Sequence, residues 1–331
     1  MPKLTNALVI IGVLLSAVMV AQGQDTHFAG QQDMNIWYNP ALKTNKIAAA
    51  QVAFRNVNYP GIISYSSKAA TAELPLVSVK DTDYDNIPFM NLAAGIIADN
   101  ASDQFMTAST AMLGLSYALP LNDNNTYAAI GIQANYSFNR VGIGSSYHLP
   151  ANFDKYGALG WALAMDPSAS GYNYGYFTAG IGAAVFHGGD RAQWYIGASI
   201  RHLNRPYTEW SYSARLPSNV GIQSGYSAYI STLNQLSVYG NLSWQNGTAA
   251  QTIVQQFIGG RYIHHFNDST SNAVSFGAGL LAGDALIPDV GLEIGQNRFA
   301  FYYEINVPGI QPGNYGRRAV GFSYRLNLVT P

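Results

Sequence analysis

The side chains able to do chemistry are few and scattered. There is no cysteine, which removes thiolate nucleophiles, disulfides and cysteine-type zinc sites. The six histidines are His27, His148, His187, His202, His264 and His265, and none stands in an H-E-x-x-H or other ligand spacing. His264 and His265 are adjacent, so on a strand they point to opposite faces and cannot share an ion from one side. Serines are plentiful, yet none lies in a G-x-S-x-G elbow. Asp81, Asp83 and Asp85 alternate beside Asn86 without the glycine and closing glutamate of a calcium loop. They read as an acidic loop tip, with weak calcium binding left open. A net charge of −1 offers nothing to a nucleic acid. The expectation is a protein that is not an enzyme and uses no cofactor or metal.

The elements that would position side chains are strands. Val320, Phe322, Tyr324, Leu326 and Leu328 share one face of a two-residue period, and Gly321, Ser323, Arg325 and Asn327 share the other. Ile130, Ile132, Ala134, Tyr136 and Phe138 alternate with Gly131, Gln133, Asn135, Ser137 and Asn139. Charged residues are only 11% of the chain, against about 25% in soluble domains, and the mean hydropathy is near zero. A water-facing sandwich would carry Lys, Glu and Thr on its polar face. Here that face is Gly, Ser, Asn and Gln, which suits a lumen crowded with side chains or a plug. A transmembrane antiparallel β-barrel, all-β, reconciles these facts: apolar outside, polar inside, every backbone group satisfied.

Segments near 47–55, 62–72, 89–98, 106–119, 126–141, 176–186, 193–202, 207–216, 224–231, 235–245, 251–263, 273–282, 287–296, 298–307 and 317–328 read as strands, one of them a loop or half-strand. At roughly 22 residues per strand and connection the count is about 14, within 12–16. Phe322, Tyr324 and Leu326 are expected to face lipid, and Tyr324→Arg to cost more than Arg325→Ala. Long connections fall at 73–88, 142–175 and 308–316 and are expected outside the cell.

Residues 1–23 read as a cleaved signal peptide: Lys3, then an apolar run from Ala7 to Val20, then the small residues of Ala21-Gln22-Gly23. Residues 24–46 form a leader ahead of the barrel, 47–331. It carries His27, Phe28, Trp37 and Tyr38 and ends on Asn39-Pro40-Ala41-Leu42, where Asn before Pro starts a turn. The expectation is a leader packed into the periplasmic mouth.

With these residues in view, the chain resembles the PorP/SprF family of outer-membrane proteins of the Bacteroidota type IX secretion system. The likeness rests on the opening from Asp25 to Gln31, which includes His27 and Phe28, and on Asn39-Pro40-Ala41-Leu42. It rests further on Leu92 to Asp99, on Gly197 to Pro206 with Arg201, His202, Leu203 and Pro206, and on Gly259-Gly260-Arg261-Tyr262. The family's Arg-x-Gln-Trp appears here only as Phe54-Arg55-Asn56-Val57, and the chain ends on Pro331 rather than an aromatic. The resemblance implies a non-enzymatic role in secretion or surface retention of cargo, gliding adhesins among them.

Two functions are therefore weighed. One is a barrel that docks a secreted cargo's C-terminal domain or a machinery subunit while its wall contacts outer-membrane lipids. The other is a passive or substrate-specific pore. The dispersed charges disfavour a charge-selective eyelet. Partner contacts are expected on the 142–175 loop at Tyr147, Phe153, Tyr156, Trp161, Tyr172 and Tyr174, since aromatics anchor interfaces.

Overall fold

The computed structural model describes residues 28, 34–43, 47–59, 63–76, 88–101, 106–122, 125–141, 172–189, 191–207, 215–246, 252–267, 272–307 and 317–328. The period-two segments close into a fourteen-stranded antiparallel barrel in which each strand pairs with its sequence neighbours and the first pairs with the last. The strands are β1 (Ala48–Tyr59), β2 (Ile63–Leu76), β3 (Phe89–Ala101), β4 (Met106–Asn122), β5 (Thr126–Val141), β6 (Tyr172–Gly188) and β7 (Ala192–Arg201). They continue as β8 (Asn219–Tyr229), β9 (Asn234–Asn246), β10 (Thr252–His265), β11 (Ala273–Leu281), β12 (Ala285–Ile294), β13 (Asn297–Asn306) and β14 (Arg318–Leu328). A one-turn helix, α1 (Asn35–Tyr38), precedes them.

The alternation is inverted relative to a soluble protein. Leu113, Ile130, Ile132, Ile196, Phe276 and Phe301 are exposed on the outer wall, while Gln51, Arg55, Gln133, Asn135, Arg261 and Glu304 are buried inside. Phe322, Tyr324 and Leu326 fall on the outward positions of β14. Aromatic residues sit on the outer wall toward both ends, Trp194, Tyr226 and Tyr262 at one and Tyr136 and Tyr303 at the other, as interfacial girdles do.

Strand direction sorts the connections. The ends of β1 and β14 that carry the chain termini share one mouth with the connections 77–88, 123–125, 189–191, 230–233, 266–272 and 295–296. The opposite mouth carries 142–171, 202–218 and 307–317. The 77–88 connection, shorter than the expected 73–88 because β2 runs to Leu76, thus lies at the terminal mouth, so it does not share a side with 142–171 and 307–317 as expected.

Three sequence expectations need correction. The segment 207–216 is not a rung of the barrel: β7 pairs directly with β8, and the segment's described ends bridge each other, Tyr207 with Arg215. The guanidinium of Arg215 lies 4.4 Å over the Tyr207 ring. The tight turn before β13 is Gly295-Gln296, one residue earlier than expected, and Gly295 takes the left-handed φ of +57° that the two-residue link requires. β6 begins at Tyr172, so the preceding loop is shorter than 142–175.

Candidate functional site

The lumen is occupied by the chain's own N-terminal segment. Phe28, Met34, Ile36, Trp37 and Tyr38 pack with Ala53, Ala69, Ala93, Ile97 and Met112 of the wall. Ala41 and Leu42 pack with Phe89, Ala118, Tyr127, Ala129, Ala184 and Phe186 nearer the terminal mouth. There the rings of Phe89, Tyr127 and Phe186 meet at centroid distances of 5.3–6.3 Å. Each fully buried large apolar side chain contributes about 1.5–3 kcal/mol.

Asn39 fastens the segment. It is 0% exposed, and its extended backbone (φ −150°, ψ 113°) is what the following proline imposes. Its Nδ2 donates to Ala183 O (3.3 Å), Ala198 O (3.2 Å) and Gln223 Oε1 (3.0 Å). Its Oδ1 accepts from Ala41 N at 2.9 Å, closing an Asx turn over Pro40. Ser199 Oγ donates to Tyr38 O at 2.7 Å, and Arg201 lies 5.7 Å from the Tyr38 ring. The wall is notched to receive this turn. A Cβ on Gly182 would land on Asn39 Oδ1, one on Gly197 would lie 2.7 Å from Asn39 Nδ2, and one on Gly131 would lie 2.6 Å from Pro40 C. Real side chains do not reach such distances, so these positions must be glycine while the turn is seated.

Lys43 anchors the segment's exit. It is 2% exposed, and its Nζ lies 2.7 Å from Glu73 Oε2 and donates to Ile47 O at 2.6 Å. Burial holds its pKa below 10.5, and Glu73 opposes that shift. Arg325 reaches across β1 to the same Glu73 at 3.3 Å and to Gln51 Oε1 at 3.4 Å. Arg325 is therefore a tie rather than a dispensable lumen residue, which removes the ground for expecting Arg325→Ala to be cheap.

The other side of the lumen is filled by ion pairs. Arg55 binds Glu304 in a bidentate fork, 2.6 Å and 2.8 Å. Glu304 also receives Arg317 Nη2, and Arg317 Nη1 donates to Asp284 Oδ2 at 2.6 Å. Arg261 Nε donates to Asp289 Oδ1 at 2.9 Å, and its Nη2 to Tyr302 Oη at 3.4 Å. These charges are dispersed in sequence but converge inside, so the sequence reading missed them. The available signal was parity: Arg55, Arg261, Asp289, Glu304 and Arg325 all fall on inward positions of their stripes.

The sequence-derived site residues are brought together only in part. Asn39, Pro40 and Ala41 form one turn seated on the inner wall, and Arg201 lies over the ring of the preceding Tyr38. His202, with a left-handed φ of 56°, turns the chain out of β7, and its ring lies 3.3 Å from Pro217 O. Leu203 is exposed, and Leu203 N donates to Ala179 O. Pro206 O accepts from Leu216 N. Tyr262 points outward and donates to Asn234 Oδ1 at 2.7 Å, on the opposite face from Arg261. His264 bonds the same Asn234 while His265 meets Tyr229, so the two rings do face apart. Of the loop aromatics, Tyr172 opens β6 and Tyr174 is a buried strand residue stacked on Tyr176. Tyr174 is thus not a loop-surface anchor. Tyr147, Phe153, Tyr156, Trp161, His27, Asp81, Asp83 and Asp85 lie outside the described residues. Among the described residues no group of three or more His, Asp or Glu could hold a metal.

No family model matches the chain, and no curated protein matches it. Solved structures do. The toluene transporter TbuX of Ralstonia pickettii is similar at a TM-score of 0.52 and 10% identity, over 95% of this chain and 97% of that one. A FadL homologue of Pseudomonas aeruginosa scores 0.48 at 10% identity, over 87% and 92%. The toluene transporter TodX of Pseudomonas putida scores 0.46 at 8% identity, over 95% and 98%. The fold is that of Gram-negative outer-membrane β-barrels.

Proposed function

We propose that this protein is an outer-membrane barrel, sealed by its own N-terminal segment, whose task is to dock another protein. The observation that carries the reading is Asn39, wholly buried in a glycine-notched wall with its amide donating to β6, β7 and β8. A lumen closed in this way and crossed by paired charges has no use as a wide pore. The resemblance to PorP/SprF proteins supports a partner from the type IX machinery: a secreted cargo's C-terminal domain or a machinery subunit. Residues 24–43 are read as the sealing leader and 1–23 as the export signal.

A second reading is a narrow channel for small molecules, which the fold likeness to the toluene transporter TbuX favours. Two measurements separate them. The docking reading expects the detergent-extracted protein to bring down one secreted or envelope partner identified by mass spectrometry. It also expects no steady porin-size conductance in planar bilayers. Deleting residues 150–170, which spares β6, should leave an inserted barrel and abolish surface display of a few secreted proteins. Large conductance with an unchanged surface proteome would promote the channel instead.

A further inference from the structure

On β1 to β6 the outward residues turn polar along one line near the mouth opposite the termini. Asn56, Ser66, Asn100, Thr107, Arg140 and Asn173 follow one another on β1 to β6, each the registered partner of the next. All six occupy outward positions, alternating with inward residues such as Arg55, Ser67, Ala101, Asn139 and Tyr174. Four residues along each strand toward the terminal mouth, the line reads Val52, Ala70, Ile96, Ala111, Tyr136 and Phe177. The line between them, Phe54, Lys68, Ala98, Ser109, Phe138 and Gly175, is mixed, so the change from apolar to polar takes one outward step and crosses neighbouring strands. At about 4.8 Å per strand the polar line runs for about 24 Å.

Three cations accompany it. Arg140 belongs to the line, Lys68 stands one outward position below Ser66, and Arg318 pairs with Asn58 just above Asn56. All three are exposed. The carboxylates of the described strands, Glu73, Asp99, Asp289, Glu293 and Glu304, all occupy inward positions. Among the described residues the outward charge in this sector is thus wholly positive, on the side of the mouth that carries connections 142–171 and 307–317.

We propose that this stripe seats the phosphorylated headgroups of an anionic lipid in the leaflet at that mouth. The inference rests on the reading that the barrel lies in a membrane. Hydrocarbon would reject Arg140, Lys68 and the Asn side chains. A line of amides and hydroxyls with three cations instead offers positive charge and N–H and O–H donors, which phosphate oxygens accept. Its place directly above the apolar band is where a headgroup layer begins.

The test uses the full mature barrel in vesicles of phosphatidylcholine and phosphatidic acid at equal mole fractions. Lipid retained after detergent extraction is counted by native mass spectrometry. The parent should retain phosphatidic acid over phosphatidylcholine, and the preference should fade with added salt. The triple variant K68Q/R140Q/R318Q should lose it by on the order of 100-fold, taking roughly fivefold per cation. K68R/R140K/R318K should keep it, and so should R191Q/R298Q, which removes two charges at the terminal mouth. Equal retention by the parent and K68Q/R140Q/R318Q, or a parent preference unmoved by salt, overturns the proposal. Displacement of the lipid by inorganic phosphate alone reduces the site to an adventitious ion site and also overturns it. If the glutamine triple does not fold, the salt dependence of the parent and the Arg/Lys exchange decide. Failure of the parent to insert into vesicles at all would instead sink the membrane reading, which heat-modifiable gel mobility detects separately.

Discussion

The two sides of the lumen are filled by opposite means. Toward β2–β8 the filler is the chain's own N-terminal segment, set into glycine notches and held by one amide, Asn39. Toward β10–β14 the wall fills itself, with Arg55, Glu304, Arg317, Asp284, Arg261 and Asp289 reaching across strands. The first is removable in principle, because it belongs to no strand. The second is inseparable from the wall, because every member is a strand residue or sits at a strand end. A barrel built to conduct would leave one side free; here the plugged side could be freed by breaking Lys43–Glu73, after which Glu73 keeps Arg325.

The sharpest way to break this comparison is Glu304→Ala. It takes the carboxylate from Arg55 and leaves Arg317 with Asp284, and breaking a buried pair in this way costs about 3–5 kcal/mol. The urea midpoint of the barrel refolded in lipid vesicles should fall accordingly, with the leader still protected from protease. A loss as small as that of an exposed pair would mean that the ion side is hydrated and not part of the scaffold.

Gly182→Ala attacks the plugged side. The added methyl meets Asn39 Oδ1, and overpacking of this kind costs about 1–3 kcal/mol. Limited proteolysis should then cut within residues 24–43 while the wall's unfolding midpoint moves less than in Glu304→Ala. Unchanged protection would show that the turn can shift aside, and the notch would lose its meaning.

Asn39→Ala should cost about 1 kcal/mol in net hydrogen bonding, with the same gain in protease access. Combined with Gln223→Ala it should show coupling of about 0.5 kcal/mol or more, because the two side chains touch. Strict additivity would separate them.

Lys43→Met is the mildest change. Glu73 keeps Arg325, so the net effect should stay within about 1 kcal/mol. The pH dependence carries more information. The folded pKa of Lys43 lies below 10.5, so between the two values the unfolded chain holds more protons on this group. Stability should therefore rise with pH across that window, and Lys43→Met should remove that slope. An identical slope in the variant would place the titration elsewhere.

Much of the wall was legible because a strand in lipid shows its two environments in alternate residues, as in Val320 to Leu328. The segment 207–216 also alternates in sequence, and nothing local separates it from a true rung; it is left out of the barrel because β7 pairs directly with β8. The leader was legible as a motif, Asn39-Pro40-Ala41, but not as a fastening. Its partners, Gly131, Ala183, Ala198 and Gln223, lie far along the chain, and a glycine on an inward position reads the same whether it lines space or touches a turn. The ion pairs were hidden for the same reason: Arg55 and Glu304 are 249 residues apart and meet only because β1 closes on β14.

The aromatic cluster at the terminal mouth has a consequence for assembly. Phe89, Tyr127 and Phe186 touch one another, with Leu42 packed against them. Those rings stand on β3, β5 and β6, and Asn39 bonds β6, β7 and β8, so one short segment ties strands far apart in the chain. Laid down before the last strand zips to the first, it would help those strands find their register. A barrel whose leader arrives late would be born closed and empty, with Gly131, Gly182 and Gly197 facing a gap.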